Sequence, residues 1–278
     1  MTKNGFHRMH RLIPSSMDST IVAQIDARLA AIRQEHNVRI PLAIESGSRA
    51  WGFPSPTSDY DCRFIYVRPV DEYLSLWPGR DVIETPLDDL LDVNGWDLRK
   101  ALKLLLKGNA VVIEWLTSPI SYATDLEFKD GFVALARKVA DRFLIGRHYL
   151  HLGERQRRTY FRDGKPVPQK KIFYALRPAA ALRWLRLHPE EAVAPMHFPA
   201  LLAECAPPDD VAEIVDNLIV RKAATRELGS TLLPEPIRQF IDEEFQRARE
   251  VFEGPSRFPS PDARQRCDDF FVANVAEG

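Results

Sequence analysis

Apolar residues recur at helical spacing through Ile21, Ile25, Leu29 and Ile32, directly after Asp18-Ser19-Thr20. Short polar side chains at that point can accept from the free amides of a first turn, so the pattern predicts an amphipathic helix to about Glu35. Val38 to Glu45 then reads as a strand, with Pro41 confined to a strand start or edge because it cannot donate to a ladder. A Gly47-Ser48 corner, a turn through Trp51-Gly52 and the loop Pro54 to Ser58 lead to a second strand, Asp59 to Val67. Val82 to Glu84 and Leu90 to Val93 are short strand candidates. Asp97 is suited to cap a helix Leu98 to Lys107 closed by Gly108, with Leu98, Ala101, Leu102 and Leu105 as its buried stripe.

From about residue 124 strand signals vanish and amphipathic helices take over, at roughly 124–140, 141–160, 168–187, 208–227 and 234–252. Pro166-Val167-Pro168 and Pro207-Pro208 punctuate them, and the tail after Gly254 reads as irregular until Phe270. The predicted fold class is α+β, a mixed sheet with flanking helices followed by an all-α helical bundle. The predicted division is a flexible N-terminus at 1–16, a catalytic domain at 17–123 and a helical domain at 124–278.

With 278 residues, 45% apolar and 28% charged, the chain can bury a large core, and a net charge of −1 provides no global field for nucleic acid or membrane. Any polyanion site must be local. Three cysteines, Cys62, Cys205 and Cys267, lack metal-ligand spacing and read as reduced thiols. No secretory signal or bilayer-length apolar run is evident, so a cytoplasmic location is expected.

The chemistry concentrates in Glu45 to Phe53 and in Asp59-Tyr60-Asp61. Alternation along a strand turns Asp59 and Asp61 to one face, where two carboxylates repel unless a cation lies between them. Beside a glycine corner able to meet a phosphate, such a pair points to metal-assisted phosphoryl chemistry. A third carboxylate would complete a two-metal site. Asp92, placed at the end of its short strand, is preferred, and Glu84 is the second candidate. Glu45 belongs either in the cleft or in a buried pair with Arg49.

The Gly47-Ser48 corner, the gap to Asp59-Tyr60-Asp61 and a later strand aspartate resemble the nucleotidyltransferase signature of the DNA polymerase β superfamily. Glu45–Gly52, Asp92–Lys100, Glu114–Pro119 and Lys170–Pro178 further resemble the nucleotidyltransferases named for an association with RNA repair. The resemblance implies a polymerase β-like catalytic domain that moves a nucleoside monophosphate from an NTP to an acceptor hydroxyl, releasing pyrophosphate. It implies two Mg²⁺ ions held by Asp59, Asp61 and Asp92, with Asp92 helping to deprotonate the acceptor. Gly47 and Ser48 would meet the phosphates, accompanied by Arg49. On the 168–187 helix, Lys170, Tyr174 and Arg177 fall on one face and would hold triphosphate and base. The acceptor stays open among an RNA 3′ end, a protein and a small molecule, with an RNA terminus reaching Arg155, Arg157 and Arg158.

Two other readings compete. A non-catalytic nucleotide-binding module could use the same fold. Arg142…His148 and Arg183…His188 also match the short Arg–His spacing of helical HEPN ribonucleases, a pattern common on basic helices. Trp96 and Glu114-Trp115 are expected to serve packing.

Overall fold

The computed structural model describes residues 9–276 apart from 87, 89, 163, 227, 228 and 256. The N-terminal half runs β1 (His10–Leu12), α1 (Ser19–Glu35), β2 (Arg39–Glu45), α2 (Gly47–Ala50), β3 (Tyr60–Val67), α3 (Val70–Leu74), β4 (Val82–Glu84), β5 (Leu91–Asp97), α4 (Leu98–Leu106), α5 (Ala110–Leu116) and β6 (Ser121–Thr124). The remainder is α6 (Leu126–Val139), α7 (Arg142–Tyr160), β7 (Val167–Pro168), α8 (Gln169–Leu187), α9 (Phe198–Cys205), α10 (Asp209–Ala224), β8 (Ser230–Thr231), α11 (Glu235–Phe252) and α12 (Pro261–Ala276). Among the described residues β1–β6 form one mixed sheet in the order β1-β6-β2-β3-β5-β4, antiparallel except for the parallel pair β3 and β5.

Alternation along these strands divides the core between two faces. Tyr60, Cys62, Phe64 and Tyr66 of β3 point to one side, where Val22, Ile25, Leu29 and Ile32 of α1 cover them. Ile65 and Val67 point to the other, with Leu42 and Ile44, into a core continuous with α4–α8 and the later helices. The helical half therefore covers the sheet face that also carries Asp61 and Arg63.

Local chemistry explains most boundaries. Asp18, Asp97, Asn109, Asp125 and Asp141 each accept a first-turn amide with the side chain, starting α1, α4, α5, α6 and α7. Gly108 ends α4 with φ +73, a left-handed conformation that favours glycine.

Several expectations are revised. Of the stretch 1–16, expected to be flexible, residues 1–8 lie outside the described residues and the rest carries β1, ordered by main-chain pairing that sets His10 opposite Thr124. Its side chains are exposed, so no buried stripe announces the strand. The strand expected at Leu90 to Val93 runs from Leu91 to Asp97, which puts Asp92 near its start. The tail expected to be irregular forms α12, opened by Ser260 accepting from the Ala263 amide with Pro261 as the first helical residue. Phe270 of α12 lies 5.1 Å from the ring of Phe132, closing the outer side of α6.

Candidate functional site

β3 and β5 run parallel with Asp61 directly beside Asp92. Side chains of paired residues on neighbouring strands share a face, so the ladder juxtaposes two carboxylates separated by some thirty positions of sequence. Asp59 precedes β3 and is exposed, while Asp61 and Asp92 are partly buried. The main chain of Asp61 is held from both sides: its amide donates to Glu45 Oε1 at 2.9 Å, and its carbonyl accepts from the Ser46 amide at 2.8 Å.

The glycine corner closes the remaining side. Gly47 opens the single turn α2 with φ +63, and a Cβ there would lie 2.0 Å from Asp61 Oδ2. Only a residue without a side chain allows this approach. Gly47→Ala is expected to lower stability by about 1–3 kcal/mol through left-handed strain and to displace the Asp61 carboxylate. Urea denaturation measures the strain, and a crystal structure of the variant shows the displacement. Ser48 Oγ donates to Ser58 Oγ at 2.9 Å, tying α2 to the loop before β3. Arg49 closes the same loop, reaching the carbonyls of Asp59 at 3.1 Å and Ser58 at 2.6 Å while lying 3.8 Å over the Tyr60 ring.

A residue that sequence reasoning passed over stands between the carboxylates. Arg63 Nη2 donates to Asp61 Oδ1 at 3.0 Å and to Asp92 Oδ2 at 2.6 Å, while Nη1 donates to the carbonyls of Asp92 at 2.8 Å and Cys62 at 3.0 Å. Asn94 Nδ2 holds the other Asp92 oxygen at 3.1 Å. Burial pushes the Asp61 carboxyl above the ordinary range, Arg63 pulls it down, and Asp59 and Asp92 push it up again. The strand phase of Arg63, two residues after Asp61, was the available signal.

These carboxylates fit a hard divalent cation by donor type, and the guanidinium marks the place where positive charge is already held. Among the described residues, no three acidic, histidine or cysteine side chains converge as a formed metal cluster. Glu84 does not join them: it lies on β4 opposite Asn94 and binds Arg80 at 2.7 Å.

Glu45 lies fully buried behind the carboxylates, hydrogen-bonded to Tyr122 Oη and the Asp61 amide rather than to Arg49. Desolvation raises its pKa from 4.5 to about 7, opposed by those two hydrogen bonds. Between pH 4.5 and 7 the unfolded carboxyl ionises while the folded one keeps its proton. Its contribution is therefore fully present below 4.5, is lost as pH rises to 7 and is flat above. The stability difference between wild type and Glu45→Gln is expected to fall through that window, by on the order of 1.4 kcal/mol per pH unit at most. Chemical denaturation at several pH values measures it.

A cavity of about 480 Å³ opens beside Ser48 and Asp59, walled on the far side by Lys170, Tyr174, Lys222 and Arg226. Lys170 and Tyr174 thus meet Ser48 across one pocket. Arg177 does not line it: its guanidinium is buried against Glu114 Oε1 at 2.5 Å and lies 4.2 Å over the Trp51 ring. Lys222, absent from the sequence reading, is 8% exposed, donates to the Phe53 carbonyl at 2.5 Å and packs over Phe53. Burial and Lys170 lower its pKa to about 8, with Asp59 acting the other way. Nothing near Lys222 in sequence marks it, because α10 reaches the pocket only through packing.

Trp96 and Trp115 stack at 4.0 Å in the core. Arg142 donates to the Leu185 carbonyl, and Arg183 to the Cys205 and Ala206 carbonyls and to Glu244. His188 stacks on Trp184. The cysteines are buried and free. Among the described residues no helix is long and apolar enough to cross a membrane.

A mixed sheet that sets Asp61 beside Asp92, with Gly47 against the Asp61 carboxylate, Asp59 just ahead of β3 and helices over that face, has the arrangement of the polymerase β-like nucleotidyltransferase class. More narrowly, the chain belongs to the RNA repair pathway DNA polymerase beta family, whose model matches residues 21–273, sheet and helical half together. It is also similar to the uncharacterized protein YcgL of Bacillus subtilis (strain 168), 39% identical over 223 residues that cover 80% of this chain and 85% of that protein. Membership in a polymerase beta family points to nucleotidyl transfer as the class of activity.

Proposed function

We propose that this chain transfers a nucleoside monophosphate from an NTP to an acceptor hydroxyl, with Mg²⁺ bound by Asp59, Asp61 and Asp92. The observation that carries this reading is the register of β3 and β5, which sets Asp61 beside Asp92 with Gly47 against the Asp61 carboxylate. Two Mg²⁺ ions bound there would neutralise the triphosphate and lower the barrier to attack on the α-phosphorus. The protein's own contribution is positioning. Gly47 lets the Asp61 carboxylate close against α2, and the Ser48 hydroxyl, on the pocket wall, can turn from Ser58 to a phosphate oxygen. Lys170, Lys222 and Arg226 face them across the pocket, and Tyr174 presents a ring to the base. Buried cations without a carboxylate partner are costly, and a polyphosphate would supply the missing charge to Lys222.

The acceptor favoured by the reading is an RNA 3′ end. The family description names RNA repair, and Arg155 and Arg158 lie exposed on α7 near Tyr160. Lys171 lies 4.6 Å from the Tyr160 ring and 4.5 Å from Tyr174, linking that helix end to the pocket wall. Cations interleaved with aromatic faces suit a single strand. The test is incubation of the protein with each labelled NTP, Mg²⁺ and separate RNA, protein and small-hydroxyl acceptors, beside Asp61→Asn. Labelling of RNA by wild type alone supports the reading, and equal labelling by both proteins overturns it. NTP binding without pyrophosphate release points instead to a binding module. Metal-independent RNA cleavage that survives Asp59→Asn points to a ribonuclease.

A further inference from the structure

Arg63 is the one cation that touches both Asp61 and Asp92 among the described residues, and it does so through a single nitrogen. Its side chain is 15% exposed, and its other terminal nitrogen is tied to two main-chain carbonyls. We propose that Arg63 is a resident counter-cation that keeps Asp61 and Asp92 together in the ion-free protein and is displaced from Asp92 when a divalent ion binds. The inference rests on the metal-dependent reading above and concerns a residue that reading does not use.

The physical argument begins from repulsion. Two carboxylates side by side on paired parallel strands would splay, or one would take up a proton, unless a positive group lay between them. Arg63 supplies that group from the same strand as Asp61, two residues on and so on the same face. A divalent ion needs the same oxygen lone pairs, because a carboxylate oxygen engaged at 2.6 Å by a guanidinium is a poorer ligand than a free one. Ion and guanidinium therefore compete for Asp92. The competition has a defined end state, since Nη1 remains anchored on the Cys62 and Asp92 carbonyls when Nη2 lets go. Arg63 turns aside rather than leaving, and its freed N–H groups face the anionic site. Asn94 retains the second Asp92 oxygen and limits how far that carboxylate can follow. Arg63 is thus a positioning residue: it lowers ion affinity while preventing collapse of the ligand set.

Mn²⁺ binding to the nucleotide-free full chain, read by electron paramagnetic resonance, tests the competition without reference to turnover. Arg63→Met is expected to bind Mn²⁺ roughly tenfold more tightly than wild type, the scale of a coupling between two ligands of one site. Arg63→Lys, which keeps the charge without the fork, is expected to fall between them. Equal or weaker binding by a folded Arg63→Met overturns the proposal and leaves Arg63 as a simple organiser. In case Arg63→Met does not fold, nuclear magnetic resonance of arginine side-chain nitrogens in the wild-type chain follows Mg²⁺ addition directly. The Arg63 signal is expected to shift and saturate with the ion, and an unmoved signal at ion saturation overturns displacement while leaving the nucleotidyltransferase reading intact. Absence of any ion binding by wild type overturns both.

Discussion

Asp61→Asn is expected to reduce nucleotidyl transfer by on the order of 10³-fold or more with little loss of stability. The contacts that fix this residue in the fold are main-chain contacts, to Glu45 and Ser46, and both survive the substitution. An asparagine oxygen can still accept from Arg63. What disappears is one negative charge beside Asp92, at the oxygens proposed to bind the ion. A neutral amide is a far weaker ligand for a hard divalent ion, and the several kcal/mol that such an ion contributes at a developing charge set the scale of the loss. Pyrophosphate release by wild type and variant, beside thermal unfolding of both, separates this chemical effect from a folding defect. A comparable loss from Asp92→Asn would tie β5 to the same event. Full activity in either variant would remove that carboxylate from the site.

The largest stability effect is expected from Arg177→Met, about 3–5 kcal/mol. Its guanidinium and the Glu114 carboxylate are both nearly buried, and Tyr149 Oη also donates to Glu114 at 3.3 Å. Removing the arginine leaves a carboxylate in the core with only a hydroxyl for company. It also removes the cation under Trp51, on the turn that joins α2 to the loop before β3. The ring of Phe53, two residues on, stacks at 4.3 Å on Phe173 of α8. Arg177 therefore docks the glycine corner onto the helix that carries Lys170 and Tyr174. The double variant Arg177→Met, Glu114→Leu is expected to recover much of the stability, because an apolar pair replaces a broken ionic one. Urea denaturation of single and double variants measures the recovery. NTP affinity in the recovered double variant is expected to lie within about threefold of wild type. A large loss there would put the guanidinium on the nucleotide itself.

The grouping of Lys170, Tyr174 and Arg177 shows where sequence reasoning reaches its limit. Positions i, i+4 and i+7 do share a helix face, but α8 is buried along most of its length. Such a helix meets different neighbours at successive turns, so its first turn faces the pocket and Arg177, two turns on, meets α5. Periodicity reports which residues share a face and is silent on what covers it. Glu45 illustrates the same limit. Its place in the strand was legible, whereas the choice between cleft and core depended on Tyr122 from β6, a strand too short to announce itself.

By itself the sequence determined the carboxylate pair, the glycine corner, the caps of α1 and α4 and the change from strands to helices, because each depends on residues within a few positions of one another. It also carried enough family resemblance to indicate the class of reaction. Only the tertiary structure decided that Asp92 rather than Glu84 stands beside Asp61, that Arg63 holds both, and that Lys222 closes the pocket. Those facts depend on the register of two parallel strands and on the packing of α10 against the Phe53 loop. Both are contacts between distant parts of the chain, selected by burial of the whole core and not by any local pattern.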